Sequence, residues 1–257
     1  MPDFRVHAPD APASAPEIRL GADESHHLVV VNRCQRGDPV VAFDGRGREW
    51  FCTCEQAVKT GAVLRVNDTR QAAPLAGRLT LAQALPKGST MDEIVRQATE
   101  LGVARIVPLL TERTQVHLDG DRADKKVGKW RVTAIEAAKQ CGNPWLPEIA
   151  PLQSYSAFLA GALDHDLLLL ASLHPDAIGL KRALADFAHR HGRAPREVVW
   201  LVGPEGDFSP AETAAALSAG GVPITLGPLV LRSDTAAVAA LSVLRHELRE
   251  TAPSASA

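Results

Sequence analysis

The sequence predicts an α/β protein in two parts: a small β-barrel over residues 1–70, then a larger domain over 75–250 built on a mostly parallel sheet. Three observations carry that prediction. The first stretch holds short apolar runs broken by turn residues, with Asp44-Gly45 between two of them, a strong hairpin signal. Beyond it, apolar strands alternate with amphipathic helices, the pattern of a parallel sheet covered on both faces. The length of 257 residues accommodates two domains at roughly 100–200 residues each.

Taken in order, Glu17–Leu20 reads as a strand ahead of Gly21, and Ser25–Val31 as the helical stretch of the first part. Val40–Phe43 and Glu49–Cys54 flank the Asp-Gly turn, and Val63–Val66 closes the barrel. Residues 67–78 read as a linker. Leu79–Leu85 is then a buried strand, and Met91–Leu101 a helix whose apolar positions recur at helical spacing. Ser89 or Thr90 is its expected N-cap, with Glu93 placed to complete a capping box. A strand at Ile106–Leu110 and a helix at about Lys126–Gln140 follow. Leu167–Leu170 and Val198–Val202 are the next buried strands. The tail, Thr251–Ala257, has low complexity and is expected to be disordered.

Composition narrows the function. Charged residues make up 23%, with 28 basic and 30 acidic side chains, so the chain is no basic nucleic-acid coater and any RNA role rests on a local patch. DNA is not an expected partner. Aromatics are 4%, too few for stacking platforms to dominate. The four cysteines (Cys34, Cys52, Cys54, Cys141) lack the spacing of a disulfide scaffold or a zinc site. Cys52 and Cys54 read as a buried, reduced pair on one strand face. Adjacent His26 and His27 point about 100° apart on a helix and do not share an ion, so no metal is expected. The longest apolar run, Leu167–Ala171, is far short of a membrane span, and no leader pattern opens the chain; the cytoplasm is the expected compartment.

Two segments stand out. In Leu201-Val202-Gly203-Pro204-Glu205-Gly206-Asp207-Phe208-Ser209-Pro210-Ala211-Glu212 a buried strand runs into glycines, then into a helix opened by a Ser209/Glu212 capping box. Glycines at a strand's carboxyl end let backbone approach a ligand closely. The spacing is neither a P-loop nor a dinucleotide fingerprint, and a plain strand-turn-helix joint also fits. In Ile224–Ala236 a strand ends at Leu226, a Gly-Pro turn follows, and Arg232 stands beside the N-cap of a long apolar helix. A cation at the positive end of a helix points to an anionic partner, or else to a salt bridge with Glu205 or Asp234.

Together these segments resemble the RsmE family of SPOUT-class methyltransferases, which make N3-methyluridine in small-subunit ribosomal RNA. The family's Gly-Pro-Glu-Gly-Gly-Phe/Leu-Ser/Thr hallmark is matched by Gly203–Ser209, and its Leu-Gly-Pro-Arg-Ile/Val-Leu-Arg-Thr-Glu-Thr-Ala hallmark by Leu226–Ala236. Further matches run in order along the chain: His26-His27-Leu28 with Arg33, Gly37-Asp38, Phe43-Asp44-Gly45, Lys87–Ile94, Thr99–Val103, Pro108–Arg113 and Glu136–Gln140. Departures fall at Asp207 (glycine in the family), Leu229 (arginine), Asp234 (glutamate) and Asn143 (often arginine).

The resemblance implies a PUA-like barrel, then an α/β domain with a trefoil knot, which is a rare exception among chain topologies. It implies S-adenosylmethionine as methyl donor, without a metal, and a homodimer acting on small-subunit ribosomal RNA, naked or in the assembled 30S subunit. By carry-over the donor is lined by Val202, Gly203, Glu205 and Gly206 in one loop, and by Leu226, Gly227, Leu229, Leu231, Arg232 and Thr235 in the next. The loop at Leu170, Ala171 and Ser172 is the third. Arg232 and Glu205 are the expected catalytic groups; Arg5, His27, Arg33 and Arg46 are the expected RNA contacts. Residues 1–70 hold 9 basic and 10 acidic groups, so these contacts would form a local patch. The basic stretch Arg122, Lys125, Lys126, Lys129 and Arg131 reads as a solvated helix face. Two rival readings are a non-catalytic RNA-binding relative that has lost the donor, and an unrelated nucleotide-binding enzyme with a similar turn.

Overall fold

The computed structural model describes residues 4–116, 118–161 and 165–249; the tail expected at 251–257 lies outside the described residues. Its elements begin with β1 (Phe4–His7), β2 (Glu17–Arg19), α1 (Ala22–His26) continued by a π-helical turn (His27–Val31), β3 (Pro39–Phe43), β4 (Arg48–Gln56) and β5 (Val63–Gln71). Then come β6 (Arg78–Ala84), α2 (Thr90–Glu100), β7 (Arg105–Leu110), α3 (Gly120–Cys141), β8 (Glu148–Ile149), β9 (Gln153–Ser154) and α4 (Tyr155–Ala160). The last are β10 (Leu167–Ala171), β11 (Ile178–Gly179), α5 (Leu180–His191), β12 (Glu197–Val202), α6 (Pro210–Ser218), β13 (Val222–Thr225) and α7 (Ser233–Arg249). The chain divides into two compact units, Met1–Pro74 with Ile135–Leu146, and Leu75–Ala134 with Pro147–Ala257.

Among the described residues the first unit carries a five-stranded sheet in the order β1-β3-β4-β5-β2. The Asp-Gly signal marks the β3–β4 hairpin, whose strands pair antiparallel from Pro39 opposite Thr53 to Phe43 opposite Glu49. Asp44 Oδ1 accepts the amide hydrogens of Arg46 and Arg48 at 2.7 and 3.0 Å, closing the turn. Gly47 adopts φ +92°, and a Cβ there would lie 2.4 Å from the Trp145 ring, so only glycine serves. Val6, Ile18, Leu28, Trp50 and Leu64 form the core with Cys34, Cys52 and Cys54. Among the described residues no disulfide joins the cysteines, and burial pushes the Cys34 and Cys52 thiols up to about 12 and about 11. Two expectations need correction, and one strand was not foreseen. The helix starts three residues early, at Ala22, and becomes π-helical at His27. Residues 67–71, read as linker, extend β5, because their amides pair with β4. β1, unread in the sequence, becomes a strand by parallel pairing with β3.

Among the described residues the second unit carries an eight-stranded sheet, ordered β11-β13-β10-β12-β6-β7-β8 with β9 also on β7. Every pairing in it is parallel. The run of leucines in β10 shows why the pattern is not alternating. Leu167 and Leu169 face the core under α2, α5 and α7, while Leu168 and Leu170 face the core under α4 and α6. Leu241 and Leu244 of α7 are fully buried in the first of these cores. The expected capping box of α2 is absent: Ser89 makes no side-chain cap bond, and Glu93 pairs with Arg96 instead. In the basic stretch of α3, Arg122, Lys125, Lys129 and Arg131 are exposed and Lys126 is half-buried, Val127 and Trp130 turn inward, and Lys129 pairs with Asp92.

Candidate functional site

Because β13, β10 and β12 are adjacent and parallel, their carboxyl ends open side by side. This is the edge where open α/β sheets bind ligands. A cavity of about 290 Å³ lies there, between the loops that leave those strands. The loop after β10 contributes Ala171, Ser172 and Leu173. The end of β12 and its loop contribute Val202, Gly203, Pro204, Glu205 and Asp207. Ile224–Gly227 and Leu229–Arg232 form the opposite wall, the first turn of α7 adds Ser233, Asp234 and Ala236, and α2 adds Thr90.

Most residues expected around the methyl donor therefore meet at one cavity. Leu170, Gly206 and Thr235 do not line it. Leu170 is buried beneath it in the core, Gly206 faces the Arg113 side chain, and Thr235 is exposed on α7. Conversely, Thr90, Leu173, Ile224, Val230 and Ser233 line the cavity without having been singled out. Their shared signal is position: each lies at or just beyond the carboxyl end of a parallel strand, or in the helix turn that follows.

The loop after β12 is shaped by backbone. Gly203 is packed so closely that a Cβ would lie 3.2 Å from Asp207 Oδ1 and 3.3 Å from the Phe208 nitrogen. Asp207 takes φ +59°, the left-handed region where glycine costs least and Asp is tolerated better than most residues. Its Oδ1 accepts the Phe208 amide hydrogen at 2.8 Å, as short side chains do in this conformation. The loop ends in the expected capping box: Ser209 Oγ accepts from Glu212 N, and Glu212 Oε2 accepts from Ser209 N at 2.9 Å.

Charge is unevenly distributed over this cavity. Glu205, Asp207 and Asp234 bring three carboxylates, and Arg232 one guanidinium. Glu205 Oε1 accepts the Lys87 amide hydrogen at 2.9 Å, which orients the carboxylate. The Arg232 side chain is 83% exposed, and its Nε stands 4.0 Å from Asp234 Oδ1, too loose and solvated a pair to neutralise it. Apolar walls from Val202, Ile224, Leu226 and Leu231 suit a planar ring. The carboxylates suit a cation, and the exposed guanidinium suits an anion.

The expected RNA contacts in the first unit fare differently. Arg5 is 10% exposed, bonds Glu49 at 3.0 Å and stacks over Phe43; this is a structural ion pair, and Arg5 leaves the RNA-facing set. His27 Nδ1 lies 3.5 Å from Glu136, a carboxylate it shares with Lys139. Arg33 is exposed at φ +61°. Arg46 is 72% exposed, with Nη2 anchored on the Pro9 carbonyl at 2.7 Å.

Residues 73–245 match the family described as an RNA methyltransferase domain, and residues 20–67 match the RNA methyltransferase PUA domain. Fold and site thus define an α/β RNA methyltransferase domain that follows a small PUA domain in the sequence. The ribosomal RNA small subunit methyltransferase E of Synechocystis is 33% identical over 229 residues, covering 88% of this chain and 71% of that protein. Its Bacillus subtilis namesake is 29% identical over 236 residues, covering 91% of each. A crystal structure of the Neisseria gonorrhoeae ribosomal RNA small subunit methyltransferase E bound to S-adenosyl methionine superposes with a TM-score of 0.85 at 27% identity, covering 95% of this chain and 97% of that one. The chain belongs to the RsmE family of ribosomal RNA small subunit methyltransferases.

Proposed function

We propose that this protein transfers a methyl group from S-adenosylmethionine to N3 of a uridine in 16S ribosomal RNA. The observation that carries this reading is the convergence of three parallel-strand loops on one cavity whose apolar walls and carboxylates fit the donor's adenine ring and its cationic groups. The loops are threaded, on this reading, as the trefoil knot that the resemblance implies. S-Adenosylmethionine, when bound, supplies an electrophilic methyl group on a sulfonium.

The chain's own residues then have defined tasks. Gly203 lets backbone close against the ligand. N3 of uridine lies on the Watson–Crick edge, so the base must be unpaired before it reaches the cavity. As N3 loses its proton, negative charge spreads onto the uracil oxygens; Arg232, exposed at the cavity rim, stabilises it. Glu205, held by the Lys87 amide through one oxygen, is placed to accept the proton with the other. Positioning the reacting nitrogen in line with the methyl group supplies much of the acceleration.

His27, Arg33 and Arg46 provide the barrel's RNA contacts in this reading. A dimer is the proposed assembly, since Leu229 and Val230 beside the cavity are apolar and 74% and 76% exposed, a surface a partner would cover. The site of action is the cytoplasm, on the small-subunit RNA or the 30S subunit. Calorimetric titration with S-adenosylmethionine, together with nucleoside mass spectrometry of treated small-subunit RNA, tests the function. Wild type is expected to bind one donor per chain and to form N3-methyluridine. Arg232→Ala is expected to lower turnover by about a hundredfold. Full turnover in that variant would remove Arg232 from the mechanism, and absence of donor binding in wild type would overturn the reading.

A further inference from the structure

The turn that follows β7 touches the glycine-rich loop but does not line the cavity. It is stiff: Thr114 Oγ1 accepts the Thr111 amide hydrogen at 3.1 Å, and the two buried hydroxyls lie 2.8 Å apart. From this turn two contacts reach across to the loop after β12. The Glu112 amide donates to Glu212 Oε1 at 2.8 Å, the same carboxylate that caps α6. Arg113 Nη1 donates to the Gly206 carbonyl at 2.7 Å and approaches the Phe208 carbonyl at 3.3 Å. Gly206 is the close-approach point, since a Cβ there would lie 3.4 Å from Arg113 Cβ. Among the described residues no carboxylate pairs with Arg113, so its charge is directed at these two carbonyls.

Those carbonyls lie on either side of Asp207, the left-handed residue that lines the cavity. The Gly206 carbonyl belongs to the peptide that enters Asp207 and the Phe208 carbonyl to the peptide that leaves Phe208, so holding both fixes the backbone on either side of Asp207, which packs against Gly203. A left-handed aspartate is strained relative to glycine, so the loop needs an outside hold to keep that shape.

We propose that Arg113 is a positioning residue for the methyl-donor loop, fixing the Gly206–Phe208 backbone in the conformation that accepts S-adenosylmethionine. This rests on the methyl-donor reading above. Arg113 does not line the cavity; it acts through the carbonyls on either side of Asp207. A charge-assisted bond to backbone is stronger than a neutral one; Nη1 alone serves both carbonyls, so a lysine ammonium on its more flexible stem replaces it only in part.

Two measurements test it on the full-length chain. In calorimetry, Arg113→Ala is expected to weaken S-adenosylmethionine binding about tenfold while its thermal unfolding midpoint stays near wild type. Arg113→Lys is expected to recover part of that loss. In hydrogen exchange without ligand, the amides of Asp207 and Phe208 are expected to exchange at least about tenfold faster in Arg113→Ala, with β12 unchanged. A dissociation constant within about twofold of wild type, or unchanged exchange at those two amides, overturns the proposal. A wild-type chain that binds no S-adenosylmethionine would sink the donor reading instead, while the exchange measurement still accepts or rejects the hold on the loop.

Discussion

Asp207 shows how a single departure from a family pattern can be absorbed. The position demands φ +59°, which glycine meets without strain and aspartate meets by bonding its own loop at 2.8 Å. The same logic predicts which substitutions the site tolerates. Asp207→Gly and Asp207→Asn should keep S-adenosylmethionine affinity within about threefold, since both accept the left-handed region. Asp207→Val, β-branched in that region, should weaken it more than tenfold. Calorimetry on the three variants decides, and an Asn variant as weak as Val would give the role to the carboxylate's charge instead. Residue identity alone reached this far and then stopped. The loop glycines and Arg232 were legible because their types are odd for packing. Arg5 looked like an RNA contact because nothing in the sequence pairs Arg5 with Glu49, 44 positions away. Arg113 carried no individual signal, because its partners are main-chain carbonyls on a distant loop.

Secondary structure was readable where the chain decides locally and missed where a partner decides. Thr90/Glu93 and Ser209/Glu212 offer the same spacing, yet one capping box forms. Ser209 is extended, at φ −70°, ψ 160°, which aims its hydroxyl at the first turn. Ser89, the actual cap of α2, sits at φ −100°, ψ 6°, and Glu93 is drawn to Arg96. β1 and the far end of β5 owe their strand conformation to β3 and β4, which no window along the sequence contains. At the start of β10, Asp166 ties one element to another. It bonds Arg193 through both oxygens and accepts the Arg196 and Glu197 amide hydrogens at the entry to β12. The Arg193 guanidinium, helped by those amides, holds the carboxyl well below the usual range. A lowered native value means that this contribution is complete above the ordinary carboxylate value of about 4 and is lost as pH falls through the native one. Asp166→Asn should therefore melt roughly 2–4 °C below wild type from pH 7 down to about 5, with the gap closing under more acid conditions. A gap that widens below pH 4 would show that the carboxylate is not the stabilising group.

At the scale of the catalytic unit, one buried cation joins distant parts of the chain. Arg245 of α7 donates to the carbonyls of Ala76 and Gly77, before β6, and of Leu101 and Gly102, at the end of α2. Carbonyls at a helix's carboxyl end are a favourable seat for positive charge. Arg245→Met keeps the apolar stem but strands these carbonyls, and should cost about 3 kcal/mol in urea unfolding; a loss below about 1 kcal/mol would make the contacts incidental. Nothing in the sequence marked this arginine, because helical spacing assigns faces and not partners. The alternation of strands and helices did reveal the parallel sheet, but not its order, since β6 takes β12 as a neighbour, Arg78 lying opposite Glu197. That pairing also sets a timetable. β12 is synthesised roughly 120 residues after β6, a delay of about 6–24 s at common translation rates. Until then the apolar edge of β6 from Leu79 to Ala84 has no mate on that side, so a nascent chain paused between residues 85 and 197 should be the form most in need of a chaperone.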